Sequence, residues 1–243
     1  MKYMGSKNRI AKDILPIIQK DRKPGQWYVE PFVGGCNLID KVDGDRLASD
    51  FNQYLIDMWQ ALIRGWVPPD YVDEATHAAV KQNPENFDSH FVAFVRLGCS
   101  FGADWNGGFA RNIKRDAPNA EELNRGVKSY CRQSKNNILK QLPFLKGVIF
   151  ESKSFDRLYI PDNSLIYCDP PYEGTTGYKD GFSHSYFWEW VRKKSQTGHT
   201  VFISEYSAPE DFDCIWQKEI PNTLNLNTRA TERLFTYSHS DLF

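Results

Sequence analysis

The first third of the chain alternates between the two spacings of apolar residues that are typical of helices and strands. Within residues 7–18 the isoleucines recur at helical spacing, and a second helical pattern spans Gln53–Ile63. Between them, the short apolar run at residues 27–29 and the run Arg46–Asp50 predict strands. Alternating helices and strands favour a parallel sheet with helices on its faces, so we expect an α/β fold.

Residues 63–147 lack any convincing strand pattern. Phe87, Phe91 and Phe94 lie at helical spacing, and a long basic helix is indicated up to Ile138. Strand patterns return afterwards at residues 147–150, 164–168, 200–204 and 234–237, with a helical pattern at 186–191. We therefore predict a core built from residues 1–62 and 148–243, into which residues 63–147 are inserted as a mainly helical unit.

Composition narrows the class of protein. The chain is 41% hydrophobic and 25% charged, which is ordinary for a globular domain, and no apolar run approaches membrane-spanning length. The basic start of the chain lacks the apolar segment of a signal peptide. Five cysteines without paired short spacing indicate buried or free thiols, and the five histidines show no ligand or triad spacing. We expect a cytoplasmic protein that uses no membrane and no metal.

The formal net charge of -1 argues against a protein that coats nucleic acid with its whole surface. Two local runs are nevertheless basic. Residues 2–23 hold seven Lys/Arg against two Asp, and residues 111–140 hold eight Lys/Arg against three acidic residues. Each run is either a solvated helix face or a nucleic-acid-binding patch.

The sequence EPFVGGCN, residues 30–37, follows the first predicted strand. A glycine pair there allows the backbone to approach a cofactor closely, although the full dinucleotide pattern G-x-G-x-x-G is absent and a plain turn is the alternative. Asp50 ends the next predicted strand sixteen residues after Gly34. Its carboxylate can accept hydrogen bonds from both hydroxyls of a ribose, or it can cap the following helix. Together the two features suggest a nucleoside cofactor.

The tetrapeptide Asp169-Pro170-Pro171-Tyr172 follows the apolar run Leu165–Cys168. Two prolines fix two backbone φ angles and hold the neighbouring carbonyl groups rigidly. Asp169 and the Pro170 carbonyl can accept the two hydrogens of an exocyclic amine, while Tyr172 can stack on the ring that carries it. Tethering such an amine beside a methyl donor is catalysis by positioning and electrostatics.

The chain resembles the Dam-type (D12 class) DNA adenine N6-methyltransferases along most of its length. The similarity rests on KYMGSKNRI, EPFVGGCN, ASDFN, DPPYEG, VFISEYSAP and ERLFTY, in that order. It implies a Rossmann-like sheet with an inserted target-recognition unit and S-adenosylmethionine as methyl donor. It also implies extrusion of the target adenine from the duplex, and DNA adenine methylation of the restriction–modification type.

The resemblance also assigns roles to individual positions. The implied catalytic residues are Asp169, Pro170, Pro171 and Tyr172. The implied cofactor-binding residues are Tyr3, Lys7, Glu30, Phe32, Gly34, Gly35, Asp50 and Asp169. For Tyr3 and Lys7 the alternatives are an aromatic at the edge of the core and a surface lysine.

One stretch departs from the family. GATC-methylating members carry N-G-x-x-R followed by F-N-V-P, whereas residues 103–112 read ADWNGGFARN with no F-N-V-P after them. We still expect this stretch and the basic helix to face DNA, through Trp105, Asn106, Phe109, Arg111, Asn112, Lys114 and Arg115. Trp105 and Phe109 belong either beside the gap left by the extruded base or in the core of the insert.

The leading interpretation is therefore a site-specific adenine N6-methyltransferase of double-stranded DNA, active as a monomer or weak dimer in a bacterial or phage-infected cytoplasm. Two alternatives stay open. The same chemistry can serve cytosine N4 or RNA, or the fold can persist as a catalytically idle DNA-binding scaffold.

Overall fold

The computed structural model describes residues 1–111, 129–174, 182–221 and 229–238 of the protein. Its strands are β1 (Tyr28–Glu30), β2 (Arg46–Asp50), β3 (Val148–Ser152), β4 (Leu165–Cys168), β5 (Thr200–Glu205), β6 (Phe212–Pro221) and β7 (Arg229–Tyr237). The α-helices in these ranges are α1 (Ala11–Ile18), α2 (Gln53–Ile63), α3 (Glu74–Gln82), α4 (Ser89–Ala93), α5 (Tyr130–Gln141) and α6 (His184–Gln196). A π-helical turn, Phe94–Gly98, continues α4, and short 3-10 turns lie at Lys7–Arg9, Ile39–Lys41, Pro84–Asn86, Phe101–Ala103 and Leu142–Leu145.

The described strands form a seven-stranded sheet in the order β3-β2-β1-β4-β5-β7-β6. Strands β1 to β5 pair in parallel, whereas β7 is antiparallel to both β5 and β6. This mixed α/β sheet is that of a Rossmann-like methyltransferase fold, which confirms the predicted fold class.

The strand order reverses between β1 and β4. From β1 the chain adds β2 and β3 on one side, then returns to place β4 and β5 on the other side. Open α/β sheets bind ligands at such a switch point, outside the carboxyl ends of the strands. The loop after β1, Asp50 at the end of β2 and the proline pair after β4 all lie at this edge.

Neighbouring residues of one strand contribute to two different hydrophobic cores. Tyr28 belongs to a core formed with α1 and α2, and Val29 belongs to a core formed with α6, because successive side chains of a strand point to opposite faces. The first core also includes Phe94 and Ile138 from the predicted insert. The insert therefore packs on one face of the sheet, and its status as a separate domain stays a prediction.

The described part of residues 63–147 contains helices and one isolated antiparallel bridge, between Ser100 and Phe109. Strand β6 was not predicted, because it is an edge strand whose mostly exposed residues give no clear alternation of apolar and polar side chains. The predicted strand at 234–237 is the end of the longer β7. The described helices are all too short or too polar to span a bilayer.

Candidate active site

The glycine pair after β1 packs directly against Tyr3. Gly34 adopts a left-handed φ of 46°, and a Cβ added there would lie 2.7 Å from the Tyr3 ring. A Cβ on Gly35 would lie 2.7 Å from Cβ of Tyr3. The indole of Trp59 donates a hydrogen bond to the Gly34 carbonyl oxygen at 3.1 Å. Glycine is thus required here for close packing within the chain as well as for the turn.

Asp50 joins this loop to the end of β2. Its Oδ2 accepts a hydrogen bond from the Gly34 backbone at 3.0 Å, and its Oδ1 accepts one from the Asn52 backbone at 3.0 Å. The N-cap of α2 is Asn52, whose side chain accepts from Leu55. Asp50 does not cap the helix, which removes that alternative. Burial raises the pKa of Asp50, opposed by its backbone hydrogen bonds.

Lys7 lies against the acidic residue of the proline loop. Its Nζ is 2.9 Å from Oδ1 of Asp169 and 4.6 Å from the centroid of the Tyr172 ring, and it donates to the Gly5 carbonyl oxygen at 3.0 Å. The Lys7 side chain is only 8% exposed. The prediction that Lys7 reaches the site rather than the surface thus agrees with its position, and its proposed role toward a cofactor remains a prediction.

Glu232 of β7 completes this group, and sequence reasoning gave it no role. Its Oε2 accepts a hydrogen bond from the Tyr172 hydroxyl at 2.8 Å and lies 3.7 Å from Nζ of Lys7. The Tyr172 hydroxyl also hydrogen-bonds Asp169. The available signal was an acidic residue two positions before an apolar strand pattern, within the ERLFTY stretch that carries part of the resemblance.

The ionisation of this group follows from burial and from its one cation. Burial raises the pKa of Asp169 to about 6, against the opposing charge and hydrogen bond of Lys7. Burial alone would lower the pKa of Lys7, but the charges of Asp169 and Glu232 outweigh it and the pKa is raised. At neutral pH, Asp169 is therefore mainly ionised beside a protonated Lys7.

A second buried carboxylate, Glu205 at the end of β5, ties two loops of the site together. It accepts hydrogen bonds from the backbone of Tyr206 at 2.8 Å and of Glu173 at 3.3 Å. Burial raises its pKa to about 7. The Tyr206 ring meets the Tyr172 ring edge-on, with centroids 4.6 Å apart. Sequence reasoning gave Glu205 and Tyr206 no role, although both lie in the VFISEYSAP stretch that carries part of the resemblance.

A family model for D12 class N6 adenine-specific DNA methyltransferases matches residues 3–130, more than half of the chain. The chain belongs to this family. The matched span includes the glycine loop and Asp50 and ends before the proline loop. The D12-class chain is also 24% identical over 196 residues to the Type II methyltransferase M.FokI of Planomicrobium okeanokoites. The aligned region covers 74% of this chain and 30% of that protein. It thus spans less than a third of the length of this relative.

Two further predicted cofactor residues of the D12-class chain, one buried and one partly buried, pack within the chain. Glu30 is buried and accepts a hydrogen bond from the Tyr28 hydroxyl at 2.9 Å, and burial raises its pKa to about 8. Phe32 packs in an aromatic group, with ring centroids 5.5 to 5.9 Å from those of Phe155, Phe182 and Phe187. Both residues border the loop after β1, and their cofactor roles stay predictions.

His184, to which sequence reasoning assigned no role, contacts the proline loop. Its Nε2 lies 2.9 Å from the Pro171 carbonyl oxygen, as the first residue of α6. Pro170 is buried and Asp169 and Tyr172 are partly exposed, so the loop presents the acid and the ring at the edge of the sheet.

Within the described ranges, no group of three or more potential ligands suits a metal ion.

The described residues predicted to face DNA lie in a loop that makes several contacts with the rest of the chain. Trp105 packs over Arg96, whose guanidinium is 4.7 Å from the indole centroid, and lies 5.8 Å from the Tyr54 ring. Arg96 also donates to the Trp105 carbonyl oxygen at 2.7 Å and to Oδ1 of Asn106 at 3.2 Å. Because Tyr54 lies in the first turn of α2, just after Asp50, the loop reaches the carboxyl edge of the sheet.

Phe109 and Arg111 make contacts of their own. The Phe109 ring lies 5.5 Å from the His77 ring, and Arg111 forms an exposed ion pair with Glu74. Trp105 and Phe109 thus contribute to packing within the chain, whereas Phe101 of the same loop is 69% exposed. Asn112, Lys114 and Arg115, and the beginning of the predicted basic helix, lie outside the described residues.

Proposed function

We propose that this chain transfers a methyl group from S-adenosylmethionine to N6 of an adenine extruded from double-stranded DNA, at a defined DNA sequence. The observation that carries the proposal is the position of Asp169, paired with Lys7 at 2.9 Å, at the sheet edge beside the glycine loop. Membership of an adenine-specific DNA methyltransferase family supports the acceptor. The match to a Type II methyltransferase makes a restriction–modification setting part of the same proposal.

The residues around Asp50 suit a nucleoside cofactor. A carboxylate has about four acceptor positions, and Asp50 accepts backbone hydrogens from Gly34, Asn52 and Phe51, so some acceptor capacity is left for ribose hydroxyls. Phe51 follows directly, and its ring is 84% exposed at this edge, where it can cover a purine face. We assign cofactor contacts to Tyr3, Lys7, Glu30, Phe32, Gly34, Gly35, Asp50 and Asp169, and add Phe51. When bound, S-adenosylmethionine supplies an electrophilic methyl group carried on a sulfonium cation.

The proline loop supplies the acceptor side. Asp169 and the Pro170 carbonyl oxygen accept the two hydrogens of the adenine amine, and Tyr172 stacks on its ring. Pro171 keeps the loop rigid, because its ring restricts φ. The carboxyl groups of Asp169 and Glu232 both lie beside the ammonium group of Lys7, and this excess of acids over cations favours the positive charge that the amine nitrogen acquires during methylation.

We assign the DNA-facing surface to the loop around residue 101 and to the basic residues that follow it. Phe101 is the exposed aromatic of this loop, and its neighbours are held by Arg96 and Lys81 through hydrogen bonds to the loop backbone. A rigidly supported aromatic ring suits insertion beside an unstacked base. Trp105 and Phe109 support the loop from beneath, while Asn106, Arg111, Asn112, Lys114 and Arg115 supply polar and phosphate contacts.

The test is methyl transfer from methyl-labelled S-adenosylmethionine to defined DNA duplexes, followed by digestion to nucleosides and mass spectrometry. We expect N6-methyldeoxyadenosine, and none of it with Asp169→Ala protein that still binds DNA. Detection of N4-methyldeoxycytidine would identify cytosine as the acceptor, and methylation of RNA alone would identify RNA as the substrate. Absence of both transfer and cofactor binding in the wild-type protein would favour a DNA-binding scaffold.

A further inference from the structure

Glu232 is a buried acid on a strand far in sequence from the proline loop. It is 7% exposed, and its register partner in the sheet is Lys218 of β6. Strand β7 lies between β5 and β6, and Glu232 directly precedes Arg233, whose partner on β5 is Glu205 at the end of that strand. Burying an acid costs free energy unless it has a charged or hydrogen-bonding partner, and Glu232 has both in Lys7 and Tyr172.

We propose that Glu232 is a positioning residue for methyl transfer: it fixes the orientation of the Tyr172 ring and shares the charge of Lys7 with Asp169. The inference rests on the proposed function and adds a role that neither the motifs nor the family match assigns. Glu232 acts through Tyr172 and Lys7 and does not itself contact the adenine.

The Tyr172 ring is held by four contacts. Its hydroxyl donates to Glu232 at 2.8 Å and also hydrogen-bonds Asp169, Lys7 lies over its face at 4.6 Å from the centroid, and Tyr206 meets it edge-on. The hydrogen bond from the Tyr172 hydroxyl to Glu232 sets the direction of the ring axis, because a hydrogen bond to a carboxylate is short and directional. A ring held in this way is already oriented for stacking when an adenine arrives.

Lys7 lies between two carboxylates, at 2.9 Å from Asp169 and 3.7 Å from Glu232. Glu232 draws part of the positive charge away from Asp169 and adds a like charge beside it, which raises the pKa of Asp169. The other titratable groups that face Asp169 are Tyr172, Glu30, Glu205, Tyr167, Cys168 and Tyr206. Neutralising Glu232 therefore lowers the pKa of Asp169, and removing the Tyr172 hydroxyl raises it.

The test compares Glu232→Gln, Tyr172→Phe and the double variant in methyl transfer to a duplex that the wild-type protein methylates. Glu232→Gln replaces the carboxylate by a weaker amide acceptor, and Tyr172→Phe removes the donor hydroxyl. Each single variant should therefore lose about tenfold in kcat, the effect of one hydrogen bond to a charged group. The double variant should lose much less than the product of the two, since both changes break the Tyr172–Glu232 hydrogen bond and only Tyr172→Phe also removes the hydrogen bond to Asp169. Glu219→Gln is the matched control, an exposed acid on β6 paired with Arg229.

The pH dependence separates a positioning role from a structural one. With Glu232→Gln the acid limb of kcat/KM, and the titration of the Asp169 carboxyl followed by carbon-13 NMR, should both move to lower pH. With Tyr172→Phe both should move to higher pH. Unchanged kcat in Glu232→Gln, additive losses in the double variant, or an Asp169 titration that stays in place would each overturn the proposal.

Failure of the inference is distinguishable from failure of the proposed function. A wild-type protein without methyl transfer refutes the proposed function, whereas an active wild type with a fully active Glu232→Gln variant refutes only the role of Glu232. If Glu232→Gln shows no cooperative thermal unfolding, Glu232→Asp replaces it. That variant keeps the charge but shortens the reach to Tyr172, so it should lower kcat with an acid limb like that of the wild type. A wild-type kcat would then overturn the proposal.

Discussion

The ammonium group of Lys7 lies 2.9 Å from Oδ1 of Asp169, so the cation of the site comes from the first turn of the chain and the acid from the loop after β4. Lys7 lowers the pKa of Asp169, which burial otherwise raises, to a value of about 6. The acceptor role of Asp169 requires the ionised form, and that form is lost as the pH falls through this value.

We therefore expect Lys7→Gln to raise the pKa of Asp169 and to move the acid limb of methyl transfer to higher pH. The variant should lose more activity at pH 6.5 than at pH 8. The measurement is the pH profile of kcat/KM on a duplex substrate, with Lys12→Gln, an exposed lysine of α1, as the control. An acid limb that stays in place would mean that Lys7 does not influence the ionisation of Asp169.

Asp50→Asn should weaken S-adenosylmethionine binding by about tenfold to a hundredfold, because the ribose would lose a charged acceptor. Duplex affinity should change little. Calorimetry with the cofactor and gel-shift titration with DNA measure the two quantities. Asp45→Asn is the matched control, since this exposed acid precedes β2 at the opposite edge of the sheet. Equal losses in both affinities would assign Asp50 a purely structural role through its contact with Gly34.

Gly34→Ala should lower the free energy of unfolding by about 1–2 kcal/mol, the cost of a left-handed conformation for a residue with a Cβ. The added methyl group also meets the Tyr3 ring at 2.7 Å, so the variant should displace Tyr3 and weaken cofactor binding. Urea unfolding and calorimetry provide the measurements. In the control Gly108→Ala, the new Cβ has no neighbour within 4 Å and stability should be retained. Equal stability of the two variants would contradict the packing described for Gly34.

Phe101→Ala should weaken duplex binding by about tenfold, in the range measured for loss of one aromatic contact with a base. Cofactor binding should stay as in the wild type. Phe144 offers a matched control, because it is 62% exposed but lies in the turn that precedes β3 at the far edge of the sheet. If Phe144→Ala and Phe101→Ala bound DNA equally well, the loop around residue 101 would not be the DNA-facing surface.

Charge reversal of Arg111, Lys114 and Arg115 should weaken DNA binding and reduce its salt dependence. Loss of three phosphate contacts should lower the slope of log affinity against log salt concentration by roughly 3. The measurement is a series of binding titrations at increasing salt. Reversal at Lys193, which is exposed on α6, should leave the slope unchanged. A wild-type slope in the triple variant would identify the basic run as a solvated surface.

The sequence by itself determined the fold class and the principal motifs of the site. Helical and strand spacings are local properties, so α2 was predicted at Gln53–Ile63 as observed. Asp50 and Asp169 were recognised because each directly ends or follows a strand, and the carboxyl ends of parallel strands share one edge. An edge strand such as β6 escaped prediction because its exposed side chains need no apolar alternation.

Only the tertiary structure decided which distant side chains meet at that edge. The contacts of Glu232 with Tyr172, of Lys7 with Asp169 and of His184 with Pro171 join separate segments. No local spacing encodes such contacts, because a buried charge is stabilised by whichever partner the packing brings near it. For the same reason, only the folded loop shows that Trp105 packs on Arg96. It also shows that Phe101, and not Trp105, is the exposed aromatic residue of this loop.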